Sequence, residues 1–207
     1  NPQAALAQDS SKQQNLVDKA RITFQDFMND PNMTWLHDNH ADARGLIIVP
    51  SQIKGGFIIG GSGGSGVLVV RDPETNQWSM PGFYTIGSVT FGLQIGGEAA
   101  EMIMVVRSER ALTNLYTSSV KLGGDTSVAV GPVGAGAKSG ITADIVTFTR
   151  SKGAYVGASL EGSVVKIKHG WNEAYYGQPV QPVDIFVKKS VSNPGAQELL
   201  QAVSTGQ

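Results

Sequence analysis

The three histidines, His37, His40 and His169, are the first residues to test for chemistry. His37 and His40 stand three apart, so on a helix they would share a face, and Asp38 and Asp42 lie beside them. Imidazoles with carboxylates are a zinc donor set. The spacing matches no recognised metal signature, however, and no Glu adjoins it to act as a base, so these residues read as solvated polar groups. Neither Gly61-Ser62-Gly63 nor Gly64-Ser65-Gly66 makes the G-x-S-x-G elbow of a serine nucleophile. Glu98 and Glu101 could form a carboxylate pair, but they open an apolar run and read as solvent-facing. Cysteine is absent, which excludes disulfides, thiol catalysis and thiolate metal sites. The chain is not expected to be an enzyme, and no catalytic residue, metal ligand or cofactor site is assigned.

Phosphate chemistry is the next candidate. Seven of the twelve residues from Gly55 to Gly66 are glycine, and Gly61 to Gly66 fits G-x-G-x-x-G literally. That motif binds pyrophosphate only when its last glycine opens a helix, whose free amides hold the anion. Here Val67-Leu68-Val69-Val70 follows, a short β-branched run that predicts a strand. No Gly-Lys-Ser or Gly-Lys-Thr closes a Walker loop either. The stretch therefore reads as a glycine-rich turn or sheet bend between strands at Phe57–Ile59 and Val67–Val70, with Lys54 and Arg71 at its basic ends.

The bounds are broad. The chain of 207 residues suffices for one substantial core. Its net charge of −1 provides no global field toward nucleic acid or membranes, so anion binding must come from a local patch. Residues 1–42 hold six acids against three bases, and the rest hold thirteen bases against eleven acids. No apolar run approaches the ~20 residues of a membrane-spanning helix. Asn1-Pro2-Gln3 carries no initiator Met and no signal-like apolar core, so the N-terminus reads as trimmed.

The elements follow from periodicity. Residues 1–11 are rich in Gln, Ala and Ser and are expected to fray. Ser11 to Met28 predicts an amphipathic helix with Leu16, Ala20, Phe24 and Phe27 on one stripe. Its polar face is acidic, which favours packing on the core over lying on a membrane. A short helix is expected within Met33–Arg44, and strands at Leu46–Val49, Val89–Ile95, Met102–Val106 and Thr126–Val130. Trp78 to Gly82 is an aromatic and proline loop that could either plug the core or enter a lipid interface. Ser108 is an N-cap for a two-turn helix, and Gly131–Gly140 is a second glycine-rich loop carrying Lys138. Asp144–Ser151 and Ala154–Glu161 form a hairpin across Lys152-Gly153, extended by Ser163–Lys168. Asn172–Tyr176 gives one helical turn, Val183–Val187 a last strand, and Asn193-Pro194 opens a final helix. About nine strands and four or five short helices without βαβ alternation predict an α+β fold. Its sheet would be glycine-rich, mostly antiparallel, curved and barrel-like. Residues 1–32 form a tail and amphipathic helix, and 33–207 the main domain, together one structural unit.

The order of these segments resembles the SYLF domain, the yeast actin-binding-protein-type lipid-binding module. The matching pieces include Ala43 to Val49, Lys54 to Phe57, Gly63 to Leu68, Trp78 to Pro81 and Gly92 to Gly96. They continue through Leu122 to Asp125, Ala129 to Gly134, Ser151 to Gly157, Leu160 to Ser163 and Asn172 to Gly177. The resemblance implies non-enzymatic binding of phosphoinositides and other anionic phospholipids, with no cofactor. It implies a protein partner, actin or a cell-envelope protein, as the alternative. The bacterial relatives are envelope proteins, often lipoproteins, so a periplasmic or lipid-anchored outer-membrane location is expected. A lipid surface requires basic residues near amide-rich loops and an apolar anchor. The candidates are Arg44, Lys54, Arg71, Lys138, Arg150 and Lys152, with Trp78 as anchor. Each is a solvated surface charge unless the fold clusters them.

Overall fold

A computed structural model describes residues 10–50, 62–88, 100–134 and 140–207. The expected strands at Phe57–Ile59 and Val89–Ile95, and the fraying of residues 1–9, lie outside the described residues. The helices are α1 (Ser11–Asn29), α2 (Thr34–Asn39), α3 (Glu109–Thr117), α4 (His169–Tyr176), α5 (Pro182–Phe186) and α6 (Gln197–Thr205). Two 3₁₀ turns, His40–Asp42 and Pro194–Ala196, precede β1 and α6. The strands are β1 (Gly45–Val49), β2 (Ser62–Val70), β3 (Gly82–Ser88), β4 (Ala100–Val106) and β5 (Val120–Lys121). They continue with β6 (Val128–Val130), β7 (Ile145–Ser151), β8 (Ala154–Val156) and β9 (Val164–Ile167).

All these strands join one curled, half-barrel sheet in the order β5-β9-β3-β2-β1-β4-β7-β6. The pairings are antiparallel except β6 with β7, and β8 continues the β7 edge beyond β6. The centre reads Leu46-Ile47-Ile48-Val49 with every residue buried, so both faces of the sheet are covered. Strand alternation sends Leu46 and Ile48 into a core under α1 and α6, with Phe24, Phe27, Trp35 and Phe148. It sends Ile47 and Val49 into a second core with Tyr84, Leu112, Leu115 and Phe186. The stripe of α1 lies against the sheet, with Leu16, Val17, Ala20, Phe24 and Phe27 all buried. Ser108 caps α3 by accepting a hydrogen bond from the Ala111 amide at 3.1 Å.

Four elements differ from expectation. From Ser62 the glycine-rich stretch is strand, paired along its whole length with β3. A Cβ at Gly66 would stand 2.8 Å from the Ile48 carbonyl, so this glycine serves close approach of β1 to β2. Gly82–Ser88 is a strand that Pro81-Gly82 and Gly87-Ser88 disguise as turns. Val183–Val187, expected as a strand, is helix α5. Pro182 starts it, and Gln181 and Asp184 form a reciprocal capping box. Ile185 and Phe186 are buried while Val183 and Val187 face out, a helical and not a two-residue period. The hairpin arm after Lys152-Gly153 ends at Val156, short of Glu161. Lys152 and Gly153 both take positive φ, 53° and 75°, the mirror-image turn that suits a right-twisted hairpin.

Candidate functional site

The fold separates the predicted basic residues into two groups. Arg44 and Arg71 flank the start of β1 and the end of β2, joined by a hydrogen bond from the Arg71 amide to the Arg44 carbonyl. Arg44 pairs with Glu109 at 2.6 Å. Arg71 donates to the carbonyls of Ala43 (2.8 Å) and Asp42 (3.2 Å) and to Asn76 Oδ1 (2.9 Å). Together they line an open slot of about 430 Å³ with Asp72, Glu109, Tyr116 and Lys189. Tyr116 stacks on Phe186 there, ring centroids 5.2 Å apart. The Lys189 ammonium, 2.9 Å from Asp72, is the main cause of the Asp72 carboxyl falling to about 2, helped by the Glu74 amide. Cations and carboxylates balance in this slot. Trp78 bridges to Arg71 across an antiparallel pair and packs, half-buried, on the α1-side core.

Arg150 lies at the opposite end of the strands. β4 pairs Glu101 with Arg150 at one end and Val106 with Gly45 at the other, about 17 Å apart at ~3.4 Å per residue. Its side chain, 13% exposed, stands 3.0 Å from Glu101 and 3.3 Å from Asp30. The Asp30 contact is an ion pair by distance and not a hydrogen bond. A further nitrogen donates to the Gly153 carbonyl at 2.9 Å, and the guanidinium lies 5.4 Å from the Phe27 ring centroid. Arg150 thus clamps the end of α1 to the β7–β8 hairpin. Burial raises the Glu101 carboxyl, against the pull of Arg150. Glu101, expected to face solvent, is therefore part of this clamp. Lys152 is exposed at the hairpin tip. Lys54 and Lys138 lie outside the described residues. His37 contacts the Phe27 carbonyl and His40 packs on Phe24, both in structural positions.

A third basic group was not anticipated. Register places Ser65, Thr85 and Lys166 in one row across β2, β3 and β9. Their in-line neighbours Tyr84, Ile86, Val165 and Ile167 point into the other core, so this row faces the α1 side. Lys168, two residues beyond Lys166, shares that face and precedes α4. Its backbone amide bonds to the Phe83 carbonyl, and Asn172 Oδ1 accepts from the Phe83 amide at 2.7 Å, which anchors α4 to β3. The Lys168 ammonium donates to Ser65 Oγ at 2.9 Å and lies 3.4 Å from the Trp171 ring centroid. Burial lowers its pKa, and the nearby charge of Lys12 in the first turn of α1 lowers it further. That first turn holds no acid. Among the described residues, none of Lys12, Lys166 and Lys168 makes an ion pair. The alternation Val-Lys-Ile-Lys at 165–168 is the signal that puts two lysines on one face. The approach of Lys12 has no signal in the sequence.

Comparison with known proteins defines the class. Residues 87–205 match the family model Ysc84, described as Las17-binding protein actin regulator. SH3 domain-containing YSC84-like protein 1 of Homo sapiens is 31% identical over 170 residues, which cover 80% of this chain and 49% of that protein. SH3 domain-containing protein PJ696.02 of Schizosaccharomyces pombe is 34% identical over 163 residues, covering 75% and 36%. Protein YSC84 of Saccharomyces cerevisiae is 29% identical over 170 residues, covering 79% and 36%. The chain belongs to the Ysc84 family, the family of the SYLF domain. It spans half or less of the length of these relatives.

Proposed function

We propose that this domain is a non-catalytic binding module that attaches peripherally to anionic phospholipid surfaces. The observation that carries this reading is the face of β2, β3 and β9. Lys166 and Lys168, without carboxylate partners among the described residues, stand there beside two hydroxyls and a tryptophan, and the charge of Lys12 on α1 acts on Lys168. An anionic surface supplies the missing counter-charge, at about 1 kcal/mol for each basic residue. Lys12, Lys166 and Lys168 then replace Arg150 as the principal contacts, since Arg150 is engaged internally. Lys54, Lys138 and Lys152 remain candidates on loops. Residence at a bacterial cell envelope, expected from the resemblance, is part of the same proposal.

Co-sedimentation with vesicles tests it. The protein is expected to pellet with phosphatidylcholine vesicles containing an anionic lipid, at low salt, and to be released at high salt. Binding to pure phosphatidylcholine with equal affinity contradicts the electrostatic reading.

A protein partner is the second reading, favoured by the slot at Arg44 and Arg71. Paired charges of both signs surround stacked Tyr116 and Phe186, with Val187 58% exposed at the rim. A partly apolar centre with a charged rim is the composition of a protein interface. The family description as an actin regulator supports an actin-regulatory partner.

A further inference from the structure

We propose that Lys168, Ser65 and Trp171 form a discrete binding site for a phosphate ester. The proposal rests on the anionic-lipid reading for its setting and goes further: one defined site recognises the phosphate, beyond diffuse attraction to a charged surface. Lys168 is half-buried and has no carboxylate partner among the described residues. A half-buried ammonium with a second lysine nearby is unfavourable unless an anion completes it. Among the described residues, Ser65 Oγ takes one of its three donors and the Trp171 face shields another direction. Alongside, two glycines take the place of side chains on the sheet. On the same face, Gly87 is the neighbour two residues beyond Thr85, and its cross-strand partner is Gly63. Neither contributes a side chain. The hydroxyls of Ser65 and Thr85 stand in one row next to these glycines. A lysine point charge with hydroxyls suits a tetrahedral phosphate, whereas a planar carboxylate is better matched by the fork of an arginine. Edge-on contact with Phe83, centroids 5.9 Å apart, fixes the Trp171 ring. The indole then offers an apolar wall for the alcohol part of the ester.

The test titrates the full chain with glycerol phosphate, following the indole N–H resonance of Trp171, assigned with Trp171→Phe. Vesicles of phosphatidylcholine with phosphatidic acid are titrated in parallel. The wild type is expected to show a saturable shift of Trp171, and Lys168→Gln to weaken glycerol phosphate binding roughly tenfold or more. Lys166→Gln, outside the site, is expected to keep glycerol phosphate binding while weakening vesicle binding. If Lys168→Gln does not fold, Ser65→Ala reads the same site and is expected to weaken binding too. Vesicle binding without any Trp171 response to glycerol phosphate overturns the discrete site and leaves the surface reading standing. Glycerol phosphate binding without vesicle binding supports the site, assigns it to a soluble phosphate and overturns the membrane reading. Binding of neither overturns both.

Discussion

Arg150 shows how a single residue can change role once its surroundings are known. In sequence it is one base next to a glycine turn. In the fold it holds Asp30 at the end of α1 and Glu101 on β4, with all three side chains less than a fifth exposed. Removing one partner of a buried pair leaves the others charged and desolvated. Arg150→Ala is therefore expected to cost about 3 kcal/mol in urea unfolding. A loss below about 0.5 kcal/mol would class the clamp with ordinary surface pairs. Asp144 acts through pH. Desolvation raises its carboxyl, but hydrogen bonds from Ser108, Ser127 and Arg110 outweigh this and hold it at about 2. The folded value lies below the unfolded one of ~3.9. Its contribution is therefore fully present above about pH 4 and is lost as pH falls toward 2. Asp144→Asn is expected to remove about 1 kcal/mol of stability at neutral pH and to flatten the decline between pH 4 and 2. An unchanged acid profile in the variant contradicts this. The candidate site was only partly legible at this scale. Lys166 and Lys168 are visible as a two-residue alternation, but their lack of carboxylate partners among the described residues depends on packing across β3 and α1 that no local pattern encodes.

At the scale of elements, legibility followed the strength of local signals. The α1 stripe, the Ser108 cap and the Lys152-Gly153 hairpin each rest on interactions within a few residues, and all three are present. Strand β3 was hidden because the short run Phe83 to Ile86 is flanked by turn-forming Pro81-Gly82 and Gly87-Ser88, and its pairing with β2 and β9 makes it a strand. The stretch around helix α5 holds β-branched Val183, Ile185 and Val187, yet a proline and a capping box decided its form. The dependence of the sheet on α1 gives a prediction. Phe24 and Phe27 are wholly buried against β1 and β2 neighbours such as Ile48 and Val67, and Gln14 reaches Gly195 before α6. Removing residues 1–32 exposes this core face, since burying each large apolar side chain contributes about 1.5–3 kcal/mol. The truncated chain is expected to lose its cooperative thermal transition by circular dichroism. A truncated chain with an unchanged transition would make α1 an independent appendage and refute the single-unit reading.

Over the whole molecule, the near-zero net charge conceals an uneven arrangement. The Arg44–Arg71 slot is balanced by Asp72 and Glu109, and the Arg150 clamp by Asp30 and Glu101. The face of β2, β3 and β9 is the described region where lysines gather without such balance. Among the described residues no helix is long and apolar enough to cross a membrane. The most direct measurement compares vesicle affinity of the wild type with a triple variant, Lys12→Gln, Lys166→Gln and Lys168→Gln. Both are titrated with phosphatidylcholine vesicles containing phosphatidic acid at low salt. Loss of roughly 3 kcal/mol, about a hundredfold in affinity, is predicted, with the fold intact by circular dichroism. Equal affinity of the two proteins would contradict the assignment of this face as the binding surface.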